Sequence, residues 1–408
     1  MCTGAIISRN IAETGRPILL KHRDISFSLS NHRGNRIEYE SSVRFGKKGI
    51  ISVVDSHSLD ECSSLCGMNV AGFAIINTAT YNLGTRDFNN QIAPSKLMYK
   101  ALAECENAIG FEKMLERTAR KMMPANYGII DKDGNAFYYE VGEVSWTRID
   151  VNNVKDNHIT FTNFSQSGNK NNRIGLERCV TATAIMNETI EREKIITPRS
   201  LFDHISRSFR NEFINIDLKK QDNPFGDYFI DGIFIPLKTT TFSAAFQGGV
   251  AWVMLGYPPA SVVVPVLMNR ELPPFMCKSG EWQTAEICNK SFELKKKIFD
   301  INVGEGNKYF NFNRLYNTAG TGYMQQIEEL EDWMYENFDP TFSEISLADF
   351  YKEYYNRIEN TYNCILSEKT KDDQYSEFRL CGFDQKFDII IPRKECYAKR
   401  VLKTLLNK

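Results

Sequence analysis

A cysteine at position 2 is the residue of this 408-residue chain whose place in the sequence most directly suggests chemistry. Removal of Met1 would leave the Cys2 thiol and a free α-amino group on one residue. An α-amino group has a reference pKa of about 8 and a thiol one of about 8.5, so the amine can accept its own side chain's proton. Chains with an N-terminal threonine nucleophile use this arrangement, which needs no catalytic histidine. By itself, however, Cys2 is equally well an incidental small residue that permits methionine removal.

The histidines and the other cysteines form no other recognisable catalytic or metal site. No local sequence around them matches the signatures of Cys–His–Asn proteases. None of the ten cysteines belongs to a paired CxxC set of the kind that binds zinc, so most are interpreted as small buried residues in a reducing compartment. Since a thiolate nucleophile needs neither a metal nor an organic cofactor, we expect no cofactor.

The composition excludes several classes of function. Apolar residues make up 42% and charged residues 25% of the chain, as in ordinary soluble globular proteins. The formal net charge is −1 and no basic cluster is interleaved with aromatic residues, so neither nucleic acid nor a membrane surface is an expected partner. No apolar run is long enough to span a bilayer and no signal-peptide pattern occurs, which favours a cytoplasmic location. A secreted mature form, with Met1 replacing a signal peptide, would have the same sequence.

Hydrophobic patterns predict the elements that would position these residues. Strands are predicted near residues 1–8, 18–21, 49–54, 72–76, 127–139 with a turn at 131–134, 145–151, 228–237, 239–246 and 251–255. Helices are predicted within 96–122 and over 176–191, 324–337 and 343–366, and the basic tail 395–408 is helix-compatible. The simplest interpretation is an α+β catalytic domain over residues 1–320 with a packed C-terminal helical extension over 321–408. A dinucleotide-binding fold is disfavoured because alternating strand–helix units with a glycine-rich first turn are absent.

Six sequence segments follow one another over roughly the first 270 residues: MCTGAIIS, RPILLKHRD, CGMNVAGFAIINTATYN, ANYGIIDKDGNAFYYEVG, FTNFSQSG and TFSAAFQGGVAWVMLGYPPASVVVPV. Together they resemble the choloylglycine hydrolase and acyl-CoA:6-aminopenicillanic acid acyltransferase group of N-terminal-nucleophile (Ntn) hydrolases. The last three segments look closer to the acyltransferase-like branch than to bile-salt hydrolases. The resemblance implies a four-layer αββα sandwich, with two antiparallel sheets between outer helices, and an activity on linear amides.

The resemblance also implies roles for individual residues. Cys2 matches the nucleophile, which attacks an amide carbonyl to give an acyl-thioester, and Asp24 matches the aspartate beside it. Asn163 matches an asparagine that contacts the reacting centre. Asn77 is expected to donate to the oxyanion, although the bile-salt hydrolase pattern has its asparagine two residues later, at Ala79 here. Asn82 is a weaker candidate for that donor.

The basic residues depart from the bile-salt hydrolase pattern, and their roles stay open. The group has a basic residue three positions before its aspartate, which is Lys21 here, whereas Arg23 directly precedes Asp24. In an extended strand, Lys21 and Arg23 share one face and His22 and Asp24 the other. Arg23 is slightly favoured for the chemistry because a guanidinium pairs bidentately with a carboxylate. Lys238 stands where the group has a late arginine.

The leading hypothesis is a cysteine Ntn amidohydrolase that cleaves a linear, non-peptide C–N amide bond of a small N-acyl amide, or transfers the acyl group to an amine. Tyr81, Phe164 and Phe242 are expected to line an acyl pocket, although aromatic residues more often belong to a core. One alternative is a bile-salt hydrolase or penicillin V acylase, and another is a non-catalytic binding or assembly protein on the same fold. By analogy with the group, a homo-oligomer is also open.

Overall fold

The structure is a computed structural model, which describes residues 1–25, 35–40, 49–56, 62–87, 89–118, 121–221, 227–280, 283–299, 308–367, 377–381 and 389–392. Every residue named above as catalytic or substrate-binding lies within these ranges. The helix-compatible tail predicted over residues 395–408 lies outside them. Among the described residues, no helix combines the length and the apolar character that crossing a bilayer requires.

The described residues form strands and helices in an interleaved order. The strands are β1 (Cys2–Ile7), β2 (Ile18–Asp24), β3 (Asn35–Glu40), β4 (Ile50–Asp55), β5 (Cys66–Asn69), β6 (Ala74–Ala79), β7 (Ala125–Ile130), β8 (Ala136–Val141), β9 (Trp146–Asp150), β10 (His158–Phe161), β11 (Arg210–Asn211), β12 (Ile216–Asp217), β13 (Asp227–Ile230), β14 (Thr240–Gln247), β15 (Val250–Leu255), β16 (Val264–Leu267), β17 (Tyr309–Phe310), β18 (Glu377–Cys381) and β19 (Ile389–Pro392). The α-helices are α1 (Pro94–Glu104), α2 (Ala108–Thr118), α3 (Leu176–Glu193), α4 (Pro198–Leu201), α5 (Glu286–Ile298), α6 (Phe312–Leu315), α7 (Tyr323–Asn337) and α8 (Glu344–Ser367).

Two antiparallel sheets stack face to face at the centre of the molecule. The first has the strand order β10-β1-β2-β14-β15-β16, which places β1 and β2 next to each other inside the sheet. The second is a meander of seven strands, β3 to β9 in sequence order. Strands β1 and β2 contact β6 and β7 across the interface. The N-terminal segment is therefore an inner strand of the first sheet that packs against the second sheet, and Cys2 lies at the start of this fully buried strand.

Helices cover the outer faces of both sheets. Helix α1 packs on β5 and β6, and an aromatic cluster that includes Phe111, Tyr127 and Tyr139 fills the space beneath α1 and α2. On the opposite side, α3 contacts β10, and α4 contacts β2 and β14. The layers thus follow in the order helix, sheet, sheet, helix, and the predicted α+β, αββα fold class is confirmed.

The C-terminal helices share the core of the first sheet. The hydroxyls of Tyr354 and Tyr362 on α8 donate to the carbonyls of Val263 and Ala260, at 2.8 and 2.9 Å. Beyond α8, β18 pairs in parallel with β13, and β19 pairs antiparallel with β18. The segment after residue 320 therefore contributes strands as well as helices. Its assignment as an extension packed on the catalytic domain stays a prediction.

One predicted strand is shorter than expected. The apolar run from Tyr228 to Leu237 is extended only as far as Ile230, where β13 ends. Beyond that point the Asp231 carboxylate accepts the backbone N–H of Lys238 at 3.1 Å, which closes residues 231–238 into a bend. A strand prediction from apolar character alone was wrong here, because the local side-chain hydrogen bond competes with sheet pairing.

Candidate active site

Cys2 lies on the face of the first sheet that points toward the second sheet. In the antiparallel pair of β1 and β2, Cys2 is opposite Arg23 and Gly4 is opposite Lys21. Residues directly opposite each other project to the same face, as do residues two apart on one strand. The side chains of Cys2, Lys21 and Arg23 therefore lie together, in agreement with the face predicted for the two cations.

The electrostatic surroundings of the thiol favour its ionised form. Burial by itself would raise the pKa of Cys2, but the charge of the Lys21 ammonium and that of the α-ammonium of Met1 outweigh burial in the chain that retains Met1. Arg23 acts in the same direction and Asp24 opposes it, and the net pKa of Cys2 is lower than that of an ordinary cysteine. Since a thiolate is the nucleophilic form of cysteine, these cations make Cys2 more reactive.

Lys21 connects the thiol to the second sheet. Its Nζ donates to Oδ1 of Asn77 at 2.7 Å, and also to the Asn77 backbone carbonyl. Burial lowers the pKa of Lys21, while charge and hydrogen-bonding interactions with Cys2 raise it. Because Oδ1 of Asn77 accepts from Lys21, Nδ2 is the part of the amide that is directed elsewhere. Asn77 is thus held beside Cys2 with a donor to offer.

Arg23 pairs with a carboxylate, but not with Asp24. Its Nη1 and Nη2 lie 2.9 and 3.0 Å from the two carboxylate oxygens of Asp55 on β4. This fork-like pair joins β2 of the first sheet to β4 of the second, and the guanidinium also lies 5.9 Å from the ring centre of Phe242. The bidentate geometry that favoured Arg23 in the sequence is present, with Asp55 as the partner.

Asn163 and Arg178 hold the backbone of Cys2. Oδ1 of Asn163 accepts the Cys2 backbone N–H at 2.8 Å. Nη1 of Arg178 donates to the Cys2 carbonyl at 2.8 Å and to the Thr3 hydroxyl at 2.9 Å, and Nη2 donates to Oδ1 of Asn163 at 3.0 Å. Arg178 is 4% exposed. The first peptide unit of β1 is therefore fixed by two buried side chains from outside the sheet.

Asp24 lies on the other face of β2, next to the start of β1. Its Oδ1 accepts the Thr240 hydroxyl at 2.5 Å, and His22 lies 3.7 Å from the same oxygen. Its Oδ2 is 3.8 Å from Nη1 of Arg178 and has no hydrogen-bond partner among the described residues. The backbone of Asp24 pairs with that of Met1. Asp24 is therefore a buried carboxylate at the chain terminus whose cationic neighbour is Arg178.

Four of the other predicted residues lie in different environments. Lys238 lies beside Asp231, whose carboxylate accepts the Lys238 backbone N–H. Tyr81 is 41% exposed beneath the guanidinium of Arg86, whereas Phe164 and Phe242 are 3% and 0% exposed. Phe164 and Phe242 would have to move before they could contact a substrate. Their roles in an acyl pocket stay predictions.

Asn82 supports a neighbouring loop. Its Nδ2 donates to the carbonyls of Ser165 and Asn169, and its Oδ1 accepts from Thr80 and from the Ser165 backbone. All hydrogen-bonding positions of this amide are occupied, so it has none to offer an oxyanion. Its contacts instead fix the loop that follows Asn163.

Arg178, Thr240 and Asp55 are site residues that sequence reasoning missed. Arg178 lies in the first turn of α3, after Gly175, whose φ of 82° is the left-handed conformation that glycine adopts most easily. A Cβ on Gly175 would lie 2.5 Å from Nη2 of Arg178, so the glycine also makes room for the guanidinium. A glycine at the start of a predicted helix, followed three residues later by an arginine, was the available local signal.

Comparisons with known proteins give similarities of fold. No protein-family profile and no curated protein matches this chain. A mutant of conjugated bile acid hydrolase from Clostridium perfringens is 11% identical to this chain. The match covers 67% of this chain and 94% of the hydrolase chain, with a TM-score of 0.41. An N-acylethanolamine-hydrolyzing acid amidase ortholog from Caenorhabditis elegans is 14% identical over 60% of this chain and 92% of its own, with a TM-score of 0.39. Penicillin V acylase from Agrobacterium tumefaciens is 13% identical over 66% and 86%, with a TM-score of 0.41.

The order of layers agrees with the fold that the resemblance implies, whereas the TM-scores of these comparisons all lie below 0.5. These values assign neither an activity nor a substrate to this chain, and its closeness to the acyltransferase-like branch stays a prediction.

Proposed function

We propose that this chain, once Met1 is removed, is a cysteine N-terminal-nucleophile amidohydrolase that cleaves a linear, non-peptide C–N amide bond. The observation that carries the proposal is the environment of Cys2, whose thiol has a lowered pKa beside Lys21 and whose nitrogen contacts Oδ1 of Asn163 at 2.8 Å. Nucleophile and amine would then share one residue, each with an oriented partner. Such a pair can perform both steps of acyl transfer without a cofactor.

In the first step, the Cys2 thiolate attacks the amide carbonyl carbon. A carbon–sulfur bond forms and the carbonyl oxygen takes on negative charge. The Lys21 ammonium, which interacts with the thiol, and the amide nitrogen of Asn77, whose oxygen Lys21 holds, are the donors assigned to this charge. The carbon–nitrogen bond then breaks, and the departing nitrogen takes a proton from the α-ammonium of Cys2. The products of this step are a free amine and an acyl-thioester.

In the second step, water attacks the thioester. The α-amine of Cys2, now neutral, accepts a proton from the water, and the carbon–sulfur bond breaks to release the carboxylic acid and the thiolate. An amine in place of water would give acyl transfer through the same intermediate. Asn163 and Arg178 fix the Cys2 backbone during both steps, which keeps amine and thiol in the geometry that proton transfer needs.

The proposal is tested with the purified full chain. Intact-mass measurement is expected to show that Met1 is missing. The chain is then screened against N-acyl amino acids, bile salts, penicillins and acyl-CoA donors with amine acceptors, and the products distinguish hydrolysis from acyl transfer. Cys2→Ala is expected to abolish turnover and to keep the fold, as judged by circular dichroism.

Cys364→Ala is the matched control, because Cys364 is an exposed thiol on α8. It is expected to retain full activity. Full activity in Cys2→Ala, or activity in a preparation that uniformly retains Met1, would rule out the proposed mechanism.

A further inference from the structure

Lys295 on α5 is a buried lysine that the mechanism above does not use. It is 2% exposed, and its Nζ donates to the backbone carbonyl of Thr240 at 3.1 Å. The ammonium also lies 5.1 Å from the ring centre of Tyr257. A buried cation carries a large desolvation cost and persists only where its surroundings compensate it. The burial of Lys295 against Thr240 is therefore expected to serve a purpose that offsets this cost.

Thr240 lies at an irregularity of β14 beside Asp24 of the proposed site. It is the first residue of β14, and it pairs with Asp24, whereas Phe242 pairs with Arg23. Between these two pairs β14 advances by two residues and β2 by one, so Thr241 is the extra residue of a β-bulge. A bulge redirects the side chains on either side of it. Here the Thr240 hydroxyl points at Oδ1 of Asp24, 2.5 Å away.

We propose that Lys295 is a positioning residue for the Cys2 site, acting through Thr240 on Asp24. Its ammonium holds the Thr240 carbonyl, this contact fixes the bulge, and the bulge keeps the Thr240 hydroxyl on the Asp24 carboxylate. The second carboxylate oxygen of Asp24 is then left facing Arg178 beside the chain terminus. The inference rests on the proposed function, because it assigns Lys295 a part in the same reaction.

Several titratable groups surround the Lys295 side chain. Asp231 and Lys238 come from the bend after β13, Asp24 from β2, and Tyr257 from the end of β15. Burial lowers the pKa of Lys295 to about 7, against the opposing effect of Asp231 and Asp24. Burial likewise raises the pKa of Asp231 to about 6. A chain of contacts leads from Lys295 through the Thr240 carbonyl and hydroxyl to the Asp24 carboxylate.

A double-mutant cycle tests the inference. Lys295→Met removes the ammonium and keeps most of the apolar stem, Thr240→Val removes the hydroxyl, and both are combined in one chain. Each single variant is expected to lower kcat on the order of tenfold with KM unchanged, because a small displacement at a reacting site has effects of that size. If Lys295 acts through Thr240, the double variant loses no more than Thr240→Val does.

The controls separate positioning from general stability. Lys296→Met removes an exposed lysine of α5 that pairs with Glu293, and it is expected to leave kcat unchanged. Thr240→Ser keeps the hydroxyl and is expected to retain activity. If Lys295→Met does not fold, Lys295→Gln takes its place. The glutamine side chain is uncharged and one bond shorter than that of lysine, so its amide does not reach the position of the lysine Nζ. An unchanged kcat on loss of the ammonium, or fully additive losses in the double variant, would overturn the inference.

A readout that needs no amide substrate separates this inference from the proposed function. The rate at which iodoacetamide labels Cys2 is measured against pH in the same variants. Lys295→Met and Thr240→Val are expected to move the midpoint in the same direction, and the double variant is expected to move it no further. If the wild-type chain shows no Cys2-dependent turnover, the proposed function fails, and the labelling cycle alone decides the role of Lys295. Unmoved midpoints in both single variants would overturn it.

Discussion

Oδ1 of Asn163 lies 2.8 Å from the backbone nitrogen of Cys2. The same oxygen accepts Nη2 of Arg178 at 3.0 Å, while Nδ2 of Asn163 donates to the carbonyl of Ala79 at 2.9 Å. Since both ends of the amide are engaged, its oxygen is fixed toward β1. An α-amine created at Cys2 by loss of Met1 would find its acceptor already oriented, which links the fold of the loop after β10 to the proposed chemistry.

Asn163→Ala is therefore expected to lower kcat/KM for the amide substrate by roughly tenfold to a hundredfold, because the Cys2 nitrogen loses its oriented partner. The measurement is steady-state kinetics on protein whose Met1 removal has been verified by mass. Asn187→Ala is the control, since Asn187 is an exposed residue of α3 whose side-chain oxygen contacts His158. Equal kinetics in Asn163→Ala and the wild type would contradict an orienting role for Asn163.

Lys21→Met is expected to raise the pKa of the Cys2 thiol. Burial alone would raise that pKa, and the Lys21 charge is the largest influence lowering it. Without this charge, the pH profile of iodoacetamide labelling moves to higher pH and turnover at pH 7 falls. Cys66 provides an internal control, because burial raises the pKa of its thiol to about 12 and its labelling stays slow in both proteins. A profile that does not move would show that Lys21 does not activate the thiol.

His22 makes the stability of the fold sensitive to acid. Burial lowers the pKa of His22 from its usual 6.5 to about 4, although Asp24 acts in the opposite direction. The unfolded chain therefore binds a proton at higher pH than the folded one, so stability is lost as the pH falls from 6.5 toward 4. A shift of this size corresponds to roughly 3 kcal/mol at most.

His22→Gln is expected to flatten this acid dependence, because glutamine does not titrate. Urea unfolding of both proteins at pH 7 and at pH 4.5 gives the comparison, and His204→Gln, which removes a partly exposed histidine, is the control. If wild type and His22→Gln lose the same stability between the two pH values, the protonation of His22 is not the cause.

The sequence predicted the parts of the fold that depend on local patterns. Strand β1, the hairpin of β7 and β8, and helix α3 follow from apolar periodicity and turn residues, and the structure contains all three. Contacts between distant segments could not be predicted in this way. Arg23 finds Asp55 across the two sheets, 32 residues away, and Asp24 finds Thr240 across a bulge, 216 residues away.

Helix α3 shows the same limit within one element. The apolar periodicity of residues 176–191 predicts that Val180 lies on the buried face of this helix, yet Val180 is 39% exposed and Arg178 is 4% exposed. The helix turns a charged residue inward because Cys2, Thr3 and Asn163 offer it oxygen acceptors. A hydrophobic scale cannot register this compensation, since it treats every arginine as an outward-facing residue.

The buried pair of Arg207 and Glu331 tests whether the C-terminal helices belong to the catalytic core. Arg207 is 0% exposed, and its Nη1 and Nη2 donate to both carboxylate oxygens of Glu331 on α7, at 2.8 and 2.7 Å. Glu331→Gln removes the carboxylate that pairs with both terminal nitrogens of this guanidinium and leaves Asp203, 3.4 Å from Nη1, as a more distant partner. Loss of one partner of a buried pair costs about 3–5 kcal/mol. Glu353→Gln, which breaks an exposed pair with Arg357, should cost less than about 1 kcal/mol.

Urea unfolding followed by circular dichroism and by loss of amide hydrolysis measures the effect of Glu331→Gln. If residues after 320 share one core with the two sheets, both signals shift together to lower urea in a single transition, because the pair joins α7 to the segment that follows α4. An early transition in circular dichroism, with activity lost only later, would instead mean that the C-terminal helices unfold by themselves and form a separate extension.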